Sequence, residues 1–182
     1  QGAGSANVYH AMISPAYLTA GNGAEQTPKI SMGDDDNRTG VYRFSFQVNN
    51  LSDREQVYTL DGVALTDQVN LDYPGYTFMG ETSRALGASV VFSAENGQLP
   101  KLYDVNGDGA VDMTDVQVLL DGVNGLEELS ETVRRDLDLS GDGILDTADV
   151  QILFEKVSAG FTALDVVKVP ANGTATVHVT VT

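Results

Sequence analysis

The chain has 182 residues, which permits one domain or two small ones, and no cysteine for a disulfide, a thiolate zinc site or a nucleophile. Its formal net charge of -16 argues against a nucleic-acid partner, because nucleic-acid phosphates need Lys and Arg to displace their counterions. No apolar run approaches the roughly 18 residues that span a bilayer, so membrane insertion is not expected.

The two ends of the chain carry the patterns of a β-rich fold. Residues 5–13 are predicted to form a short helix that ends before Pro15, and residues 21–40 a loop. Alternating apolar and polar side chains then predict short strands at 41–48, 57–60, 63–70, 76–79 and 88–93. Further strands are predicted at 164–169 and 174–181. Short strands at this spacing favour an antiparallel β-sandwich.

The middle of the chain contains an internal repeat. Residues 104–123 and 138–157 share ten identities in twenty positions. Each copy begins with an Asp-rich and Gly-rich loop and continues with a helix-like apolar pattern. The strand pattern stops near Ser93 and resumes near Ala163, which predicts a small helical unit inserted in a loop of the sandwich.

Both loops fit a calcium frame. Calcium takes six to eight oxygen ligands, and a twelve-residue loop supplies them from positions 1, 3, 5, 7, 9 and 12, with glycine at 6. The predicted ligands are Asp104, Asn106, Asp108, the Ala110 carbonyl, Asp112 and Asp115, then Asp138, Ser140, Asp142, the Ile144 carbonyl, Asp146 and Asp149. Two ions are therefore predicted. Two polar Asp-Gly turns are the alternative, but two turns in one identical frame favour calcium.

Position 12 of each loop is Asp, where calcium sensors have a bidentate Glu, which argues against a sensor. Val111 and Leu145, two residues after the turn glycines, predict a short pairing between the loops. The segment 124–136 between the copies is predicted to form its own helix from Leu126 to Arg135.

The helix after each loop has an apolar face predicted to be core. These faces comprise Val116, Leu119, Leu120 and Val123 in the first copy and Val150, Leu153, Phe154 and Val157 in the second. Val118 and Ile152 lie on the opposite side among polar residues, which predicts an exposed contact surface. Packing against the sandwich or against the 126–135 segment remains an alternative.

The stretches "DVNGDGAVDMTD" and "DLSGDGILDTAD" resemble the loops of dockerins, the modules that attach bacterial enzymes to cohesins. The resemblance covers residues 101–159 and implies an EF-hand-like module with two calcium ions, two pseudo-symmetric helices and a cohesin partner. It places partner contacts at loop positions 10 and 11 and on nearby helix residues. The implied partner residues are Met113, Thr114, Gln117, Val118, Asp121, Thr147, Ala148, Gln151, Ile152 and Glu155. The two copies differ chemically, so they need not bind equally.

The flanking sequences resemble parts of cell-envelope subtilisin-like proteases. The stretch "QGAGSANVYHAM", within residues 1–20, is similar to the end of their catalytic domains. Residues 21–98 and 163–182, with "GVYRFSFQVNN" and "VKVPANGTATVHVTVT", resemble their fibronectin-type-III-like domain. This implies one discontinuous sandwich in which strand 174–181 pairs with strands before the insertion. No catalytic-triad motif of the family is present, so the chain is not expected to be a protease itself.

These patterns together predict a calcium-dependent module that attaches a secreted subtilisin-like protease to a scaffoldin or cell-surface cohesin. The chain begins at Gln1 without a signal peptide, as a piece of a longer protein would, and it is expected to be a monomer on its own. One alternative is a structural calcium-binding insert without a cohesin partner. A second is a part of an active hydrolase.

Overall fold

The structure, a computed structural model, describes residues 8–20, 30, 32–33, 35–69, 77–84 and 87–182. The chain forms two compact units. Residues Gln1–Gln98 and Val167–Thr182 form the first, here called the β-rich unit, and Leu99–Val166 form the second, here called the insert. In the described part of the chain, no helix is long and apolar enough to cross a membrane.

Among the described residues, a short helix and six strands come first, three helices follow, and two strands come last. In chain order they are α1 (Val8–Ile13), β1 (Ala16–Ala20), β2 (Tyr42–Asn50), β3 (Gln56–Leu60), β4 (Leu65–Val69), β5 (Thr77–Arg84), β6 (Val90–Ser93), α2 (Met113–Val123), α3 (Glu131–Asp136), α4 (Thr147–Ser158), β7 (Asp165–Val169) and β8 (Thr174–Val181). The predicted strands are found within a few residues of these bounds. Residues 5–7 of the predicted first helix and most of the predicted loop 21–40 lie outside the described residues.

The principal sheet of the β-rich unit has the strand order β1-β2-β8-β6. Its pairs are antiparallel, and β8 lies in register with β2 from Tyr42 opposite Val181 to Asn49 opposite Thr174. Strand β8 follows the insert, whereas β2 and β6 precede it. The predicted pairing across the insertion is therefore confirmed.

Two smaller sheets, β3-β7 and β4-β5, complete the described β structure. The β4-β5 pair is antiparallel, with an irregular register between Asp67 and Val69. Antiparallel sheets together with short helices agree with the predicted mixed class. The fibronectin-type-III-like sandwich stays a prediction.

A buried asparagine connects two strand ends of the β-rich unit. Asn50, the last residue of β2, donates from Nδ2 to the carbonyls of Arg54 (2.7 Å), Val169 (3.2 Å) and Pro170 (2.9 Å). Its Oδ1 accepts the N–H and the hydroxyl of Ser52 at 2.9 and 2.7 Å. Because every polar atom of this side chain is hydrogen-bonded, its burial carries little penalty. The end of β7 is thereby fixed to the turn after β2.

The insert is built around a small apolar core between α2 and α4. Leu119 and Leu153 are completely buried at its centre. Its buried members are Val116, Leu119, Leu137, Val150 and Leu153. Each helix presents one apolar stripe to this core, as the 3.6-residue period of the sequence predicts.

The helix predicted over residues 126–135 begins only at Glu131, so the prediction is wrong for residues 126–130. Two local features account for the later start. Gly125 has a left-handed φ of 72°, and the Leu126 N–H donates to the Asp121 carbonyl (2.8 Å), which closes a turn after α2. The Ser130 hydroxyl then accepts the Val133 N–H (3.3 Å) and caps α3.

The two ends of the insert are hydrogen-bonded to each other. The Leu102 N–H donates to the Leu164 carbonyl (2.8 Å), and the Val166 N–H donates to the Pro100 carbonyl (2.9 Å). Between these bonds, the Lys101 ammonium lies 2.7 Å from the Asp165 carboxylate. We call residues 100–102 and 164–166 the neck. Neighbouring ends are the condition under which one folded unit can be inserted in another.

Candidate functional site

The first aspartate of each predicted calcium loop holds the loop backbone in a tight turn. Asp104 accepts the Gly107 N–H on Oδ1 (2.7 Å) and the Gly109 N–H on Oδ2 (2.9 Å). Asp138 accepts the N–H groups of Gly141 and Gly143 in the same way, at 2.8 Å each. Gly109 and Gly143 have φ values of 89° and 84°, a region that other residues rarely adopt. The two copies therefore share one backbone turn as well as one sequence pattern.

The last aspartate of each loop is buried. Asp115 and Asp149 both have an exposed fraction of 0%. Asp115 accepts the N–H groups of Val105 and Asn106 on Oδ1 (2.7 and 3.2 Å) and that of Asp112 on Oδ2 (2.8 Å). Asp149 accepts the N–H groups of Ser140 and Asp146 in the second loop, at 2.9 Å each. These carboxylates join the start of each loop to the start of its helix, a role that the sequence interpretation did not assign to them.

The ninth residue of each loop is also the N-cap of the following helix. Asp112 Oδ1 accepts the Thr114 N–H, and Asp146 Oδ1 accepts the Ala148 N–H, both at 2.7 Å. The carboxylate three residues later accepts the N-cap N–H in return, which completes a capping box in α2 and in α4. The calcium frame and the helix start signals thus use the same aspartates.

Hydrogen bonds to these carboxylates favour their charged form. The Thr114 N–H lowers the pKa of Asp112 from its usual value. Burial raises the pKa of Asp149, but the N–H groups of Asp146 and Ser140 outweigh burial, so the pKa lies below its usual value. Both groups are therefore ionised at neutral pH, as calcium ligands must be.

The remaining predicted ligands lie on the exposed part of the loops. Asn106 Oδ1 accepts the Asp108 N–H, and Asn106 Nδ2 donates to Asp108 Oδ2, both at 2.9 Å. In the second loop the Ser140 hydroxyl donates to Asp138 Oδ1 (3.3 Å), and Asp142 accepts the Ile144 N–H (2.8 Å). As a predicted calcium ligand, Ser140 offers a hydroxyl oxygen on a shorter side chain than Asn106, which offers an amide oxygen.

The donor set fits calcium by its chemistry. Every predicted ligand offers an oxygen, and hard cations such as calcium are bound by carboxylate, amide, hydroxyl and carbonyl oxygens. The described residues contain no group of three or more His, Cys, Asp or Glu placed to hold a metal ion as they stand. The side chains are instead turned towards loop N–H groups.

The predicted pairing between the loops is wrong. Val111 and Leu145 lie outside any strand, and neither forms a bridge. Leu145 packs against the insert core instead.

Most of the predicted partner residues lie on the surface of α2 and α4, but not all of them. Met113 is 50% exposed. The other exposed members are Thr114, Gln117, Thr147, Ala148, Gln151 and Glu155, whereas Val118, Asp121 and Ile152 are half-buried. The prediction that Val118 and Ile152 are exposed apolar residues is therefore wrong, although neither belongs to the core between the helices.

One partner candidate was missed. Phe154 was predicted to be a core residue, but its exposed fraction is 46%. Leu153 takes the central core position, which leaves the neighbouring aromatic ring at the edge of the apolar stripe. The sequence carries no signal for this exposure, because helical period places Phe154 and its counterpart Leu120 on the same apolar face.

A shallow groove of about 390 Å³ lies along α2 and α4. It collects four of the predicted partner residues together with four residues that were predicted to be core. Its lining residues are Met113, Val116, Gln117, Leu120, Thr147, Val150, Gln151 and Phe154. The structure does not place Thr114, Val118, Asp121, Ala148, Ile152 or Glu155 in this groove.

Residues 102–158 match the family model described as the dockerin type I domain. The matched segment is most of the insert, and the match supports a dockerin module there. Dockerin domains bind calcium, and their calcium-dependent partners are cohesins. The match does not extend to the β-rich unit. No curated protein and no solved structure matches the chain.

Proposed function

We propose that the insert binds a cohesin when calcium is present and thereby attaches a secreted subtilisin-like protease to a scaffoldin or another cell-surface complex. The dockerin match over residues 102–158 carries the cohesin-binding part of this proposal, because it includes both loops together with α2 and α4. Dockerins occur on secreted cellulosome components, which supports the extracellular location. We propose that the isolated chain is a monomer.

In this proposal each loop holds one calcium ion through positions 1, 3, 5, 7, 9 and 12. Calcium supplies positive charge and a centre of oxygen coordination. The aspartates repel one another without that charge, because their formal charges are alike and they lie close together in sequence. They are Asp104, Asp108, Asp112 and Asp115 in the first loop and Asp138, Asp142, Asp146 and Asp149 in the second. Because Asp112 and Asp146 also cap α2 and α4, ordering of the loops orders the start of each helix.

Calorimetry of the metal-free chain tests the calcium step. We expect two sites in the whole chain, and one site after either Asp104→Ala or Asp138→Ala. Circular dichroism should show less helix in chelator, because the first turns of α2 and α4 depend on the loops that the ions order. Fewer than two sites in the unmodified chain, or a helix content unaffected by chelator, would contradict the two-ion proposal.

A binding assay tests the partner step. Cohesins from the source organism are immobilised, and binding of the chain is measured in calcium and in chelator. We expect binding only in calcium and loss of binding in the combined Asp104→Ala and Asp138→Ala variant. A chain that binds two calcium ions but no cohesin would instead be a structural calcium insert that stabilises the protein around it.

The subtilisin-like parent is supported by sequence alone. Residues 1–20 resemble the end of subtilase catalytic domains, and the β-rich unit resembles their accessory domain. The antiparallel pairing of β8 with β2 and β6 is compatible with one discontinuous domain around the insert. We propose that the chain itself has no catalytic activity, since it lacks the triad motifs. Proteolysis of a casein substrate by the purified chain would contradict this part of the proposal.

A further inference from the structure

The third position of the first predicted calcium loop belongs to an Asn-Gly pair. Asn106 precedes Gly107 there, whereas the second loop has Ser140 before Gly141. Asparagine is thermolabile, because the backbone nitrogen of the next residue can attack its side-chain amide carbon and expel ammonia. Glycine in the next position offers the least steric resistance to this attack, since it has no Cβ. The first loop therefore contains an electrophile that the second loop lacks.

The nucleophile of this reaction, the Gly107 nitrogen, is hydrogen-bonded to a carboxylate. Its N–H donates to Asp104 Oδ1 at 2.7 Å. A carboxylate can accept the donor's proton as a general base, which a backbone carbonyl cannot do. The second loop has the same arrangement, because the Gly141 N–H donates to Asp138 Oδ1 at 2.8 Å. Both loops thus hold a nucleophile next to a base, and only the first has a side-chain amide for it to attack.

The side-chain amide of Asn106 is held by Asp108 at both of its polar atoms. The Asp108 N–H donates to Asn106 Oδ1, and Asn106 Nδ2 donates to Asp108 Oδ2, both at 2.9 Å. A donor at Oδ1 stabilises the negative charge that develops on this oxygen when the amide carbon is attacked. The base, the oxyanion donor and the leaving nitrogen therefore lie together within residues 104–108.

We propose that Asn106 is a site of intramolecular deamidation in the metal-free loop, with Asp104 as the general base and the Asp108 N–H as the oxyanion donor. The Gly107 nitrogen forms a bond to Asn106 Cγ while its proton passes to Asp104. The Cγ–Nδ2 bond then breaks, and ammonia leaves with that proton, so a cyclic imide remains. Water opens the imide at the side-chain carbonyl to give an aspartate, or at the main-chain carbonyl to give an isoaspartate.

Bound calcium should prevent this reaction. In the proposed function Asp104 coordinates the ion and no longer accepts a proton. The isoaspartate product places an additional methylene in the main chain of a loop whose spacing sets the ligand positions, so it should abolish the first site. The aspartate product keeps the spacing. Protection by calcium rests on the proposed function, whereas the reaction in the metal-free loop does not.

Three other Asn-Gly pairs in the described part of the chain serve as internal controls. They lie at 96–97, 124–125 and 172–173, and each glycine N–H donates to a backbone carbonyl, at 3.3, 3.2 and 3.0 Å. The chain is incubated in a mildly alkaline buffer, and peptide mapping by mass spectrometry measures deamidation at every pair. In chelator we expect Asn106 to react about tenfold faster than the controls or more. In calcium it should react no faster than they do. In urea, which removes the hydrogen bonds, all these pairs should react at similar rates.

Exchange of the third position between the loops gives the second test. Asn106→Ser should abolish the reaction in the first loop, and Ser140→Asn should create it in the second, where Asp138 is the base. Each substitution copies a residue that the other loop already carries, so folding should be retained, and circular dichroism checks this. Asp104→Asn keeps a hydrogen-bond acceptor but removes the base, so Asn106 in this variant should react at the rate of the control pairs.

The outcomes separate this inference from the proposed function. The deamidation proposal is wrong if Asn106 reacts in chelator no faster than the control pairs, if Ser140→Asn creates no reactive site, or if Asp104→Asn leaves the rate unchanged. Equal rates in chelator and in calcium, in a chain that calorimetry shows to bind calcium, would overturn the protection by calcium but not the reactive site. A chain that binds no calcium would contradict the proposed function, while rapid reaction of Asn106 in that chain would still support the deamidation site.

Discussion

The buried carboxylates of Asp115 and Asp149 serve two purposes within each loop. As position 12 of the calcium frame they are predicted ligands, and as hydrogen-bond acceptors they join the loop start to the helix start. Burial of a carboxylate is costly unless it is hydrogen-bonded, and N–H donors here meet both oxygens. These residues therefore contribute to folding before calcium contributes, whereas the exposed Asp108 does not occupy such a place.

Replacement by asparagine distinguishes the two purposes. In Asp115→Asn one carboxylate oxygen becomes an NH₂ group, which would leave without an acceptor either the N–H of Asp112 or the N–H groups of Val105 and Asn106. We expect a loss of about 1–3 kcal/mol in the unfolding free energy of the metal-free insert. Asp108→Asn is the matched control and should weaken calcium binding without this loss. Urea denaturation in chelator measures both, and equal stability of the two variants would contradict the structural role of Asp115.

Acid should destabilise the metal-free insert through the carboxylates of Asp112 and Asp149. The pKa values of Asp112 and Asp149 are lower in the folded chain than the unfolded value of about 3.9. Their contribution to stability is therefore present above the unfolded pKa and is lost as the pH falls below it. We expect denaturation midpoints that are constant between pH 6 and 5 and fall below pH 4. Asp112→Asn keeps an N-cap acceptor but removes one titrating group, so its midpoint should fall less steeply.

The turn in each loop could be predicted from the sequence because a short loop fixes its spacing, while the calcium ligands stay a prediction. The position of Asp104 relative to Gly109 is set by local backbone geometry, which does not depend on the rest of the fold. The exposure of Phe154 could not be predicted in this way. It lies at the edge of an apolar stripe, and whether such a residue is covered depends on the neighbouring elements rather than on helical period.

At the scale of elements, α2 and α4 are alike in their capping boxes but different at their ends. Gly122 in α2 is equivalent to Lys156 in α4. A Cβ on Gly122 would collide with the side chain of Leu129, so this glycine is required by a close approach. Lys156 instead lies over the rings of Tyr103 and Phe161, with its ammonium 5.5 and 5.8 Å from their centres. The first copy thus packs against the segment between the copies, and the second against the ends of the insert.

Gly122→Ala tests the close approach in α2. Alanine favours a helix by about 1 kcal/mol over glycine, but collision with Leu129 should reverse the sign and destabilise the insert by about 1–3 kcal/mol. In a Leu129→Ala background the collision is absent, so the same substitution should be neutral or stabilising. Denaturation of the four proteins in calcium completes the double-mutant cycle. Additive effects would show that Gly122 and Leu129 do not interact.

Elements were predicted well where a residue pattern extends over several helical turns or strand alternations. They were predicted poorly where tertiary contacts decide whether an element forms or where it begins. Strand β1 (Ala16–Ala20) was not predicted, because five residues after Pro15 show no clear alternation. It forms through its pairing with β2, from Ala16 opposite Asn50 to Ala20 opposite Phe46. The late start of α3 was missed for a related reason, since the turn after Gly125 depends on a hydrogen bond to Asp121.

At the scale of the whole chain, the neck allows the insert to interrupt the β-rich unit while both units fold. The hydrogen bonds from Leu102 to Leu164 and from Val166 to Pro100 bring the two ends of the insert together. The chain therefore leaves and re-enters the β-rich unit at neighbouring points, as it would with a short loop. Tyr103 and Phe161, whose ring centres are 5.5 Å apart, lie just inside the neck. Tyr103 has a left-handed φ of 72°, so these contacts support a strained backbone directly before Asp104.

Removal of the insert tests whether the β-rich unit folds by itself. Residues 103–161 are replaced by a short Gly-Ser linker, which retains the neck, and we expect a cooperatively unfolding β protein in which β8 still pairs with β2. The physical reason is that loop-closure entropy changes slowly with loop length, so a short linker between neighbouring ends costs little.

Strands β7 and β8 are too short to be stable alone, so their order reports on pairing with strands before the insert. Hydrogen exchange of the β8 amides measures this pairing. Lys101→Ala, which removes the ion pair with Asp165, should lower the stability of the shortened protein slightly without unfolding it. Rapid exchange throughout β8 in the shortened protein would show that the β-rich unit requires the insert in order to fold.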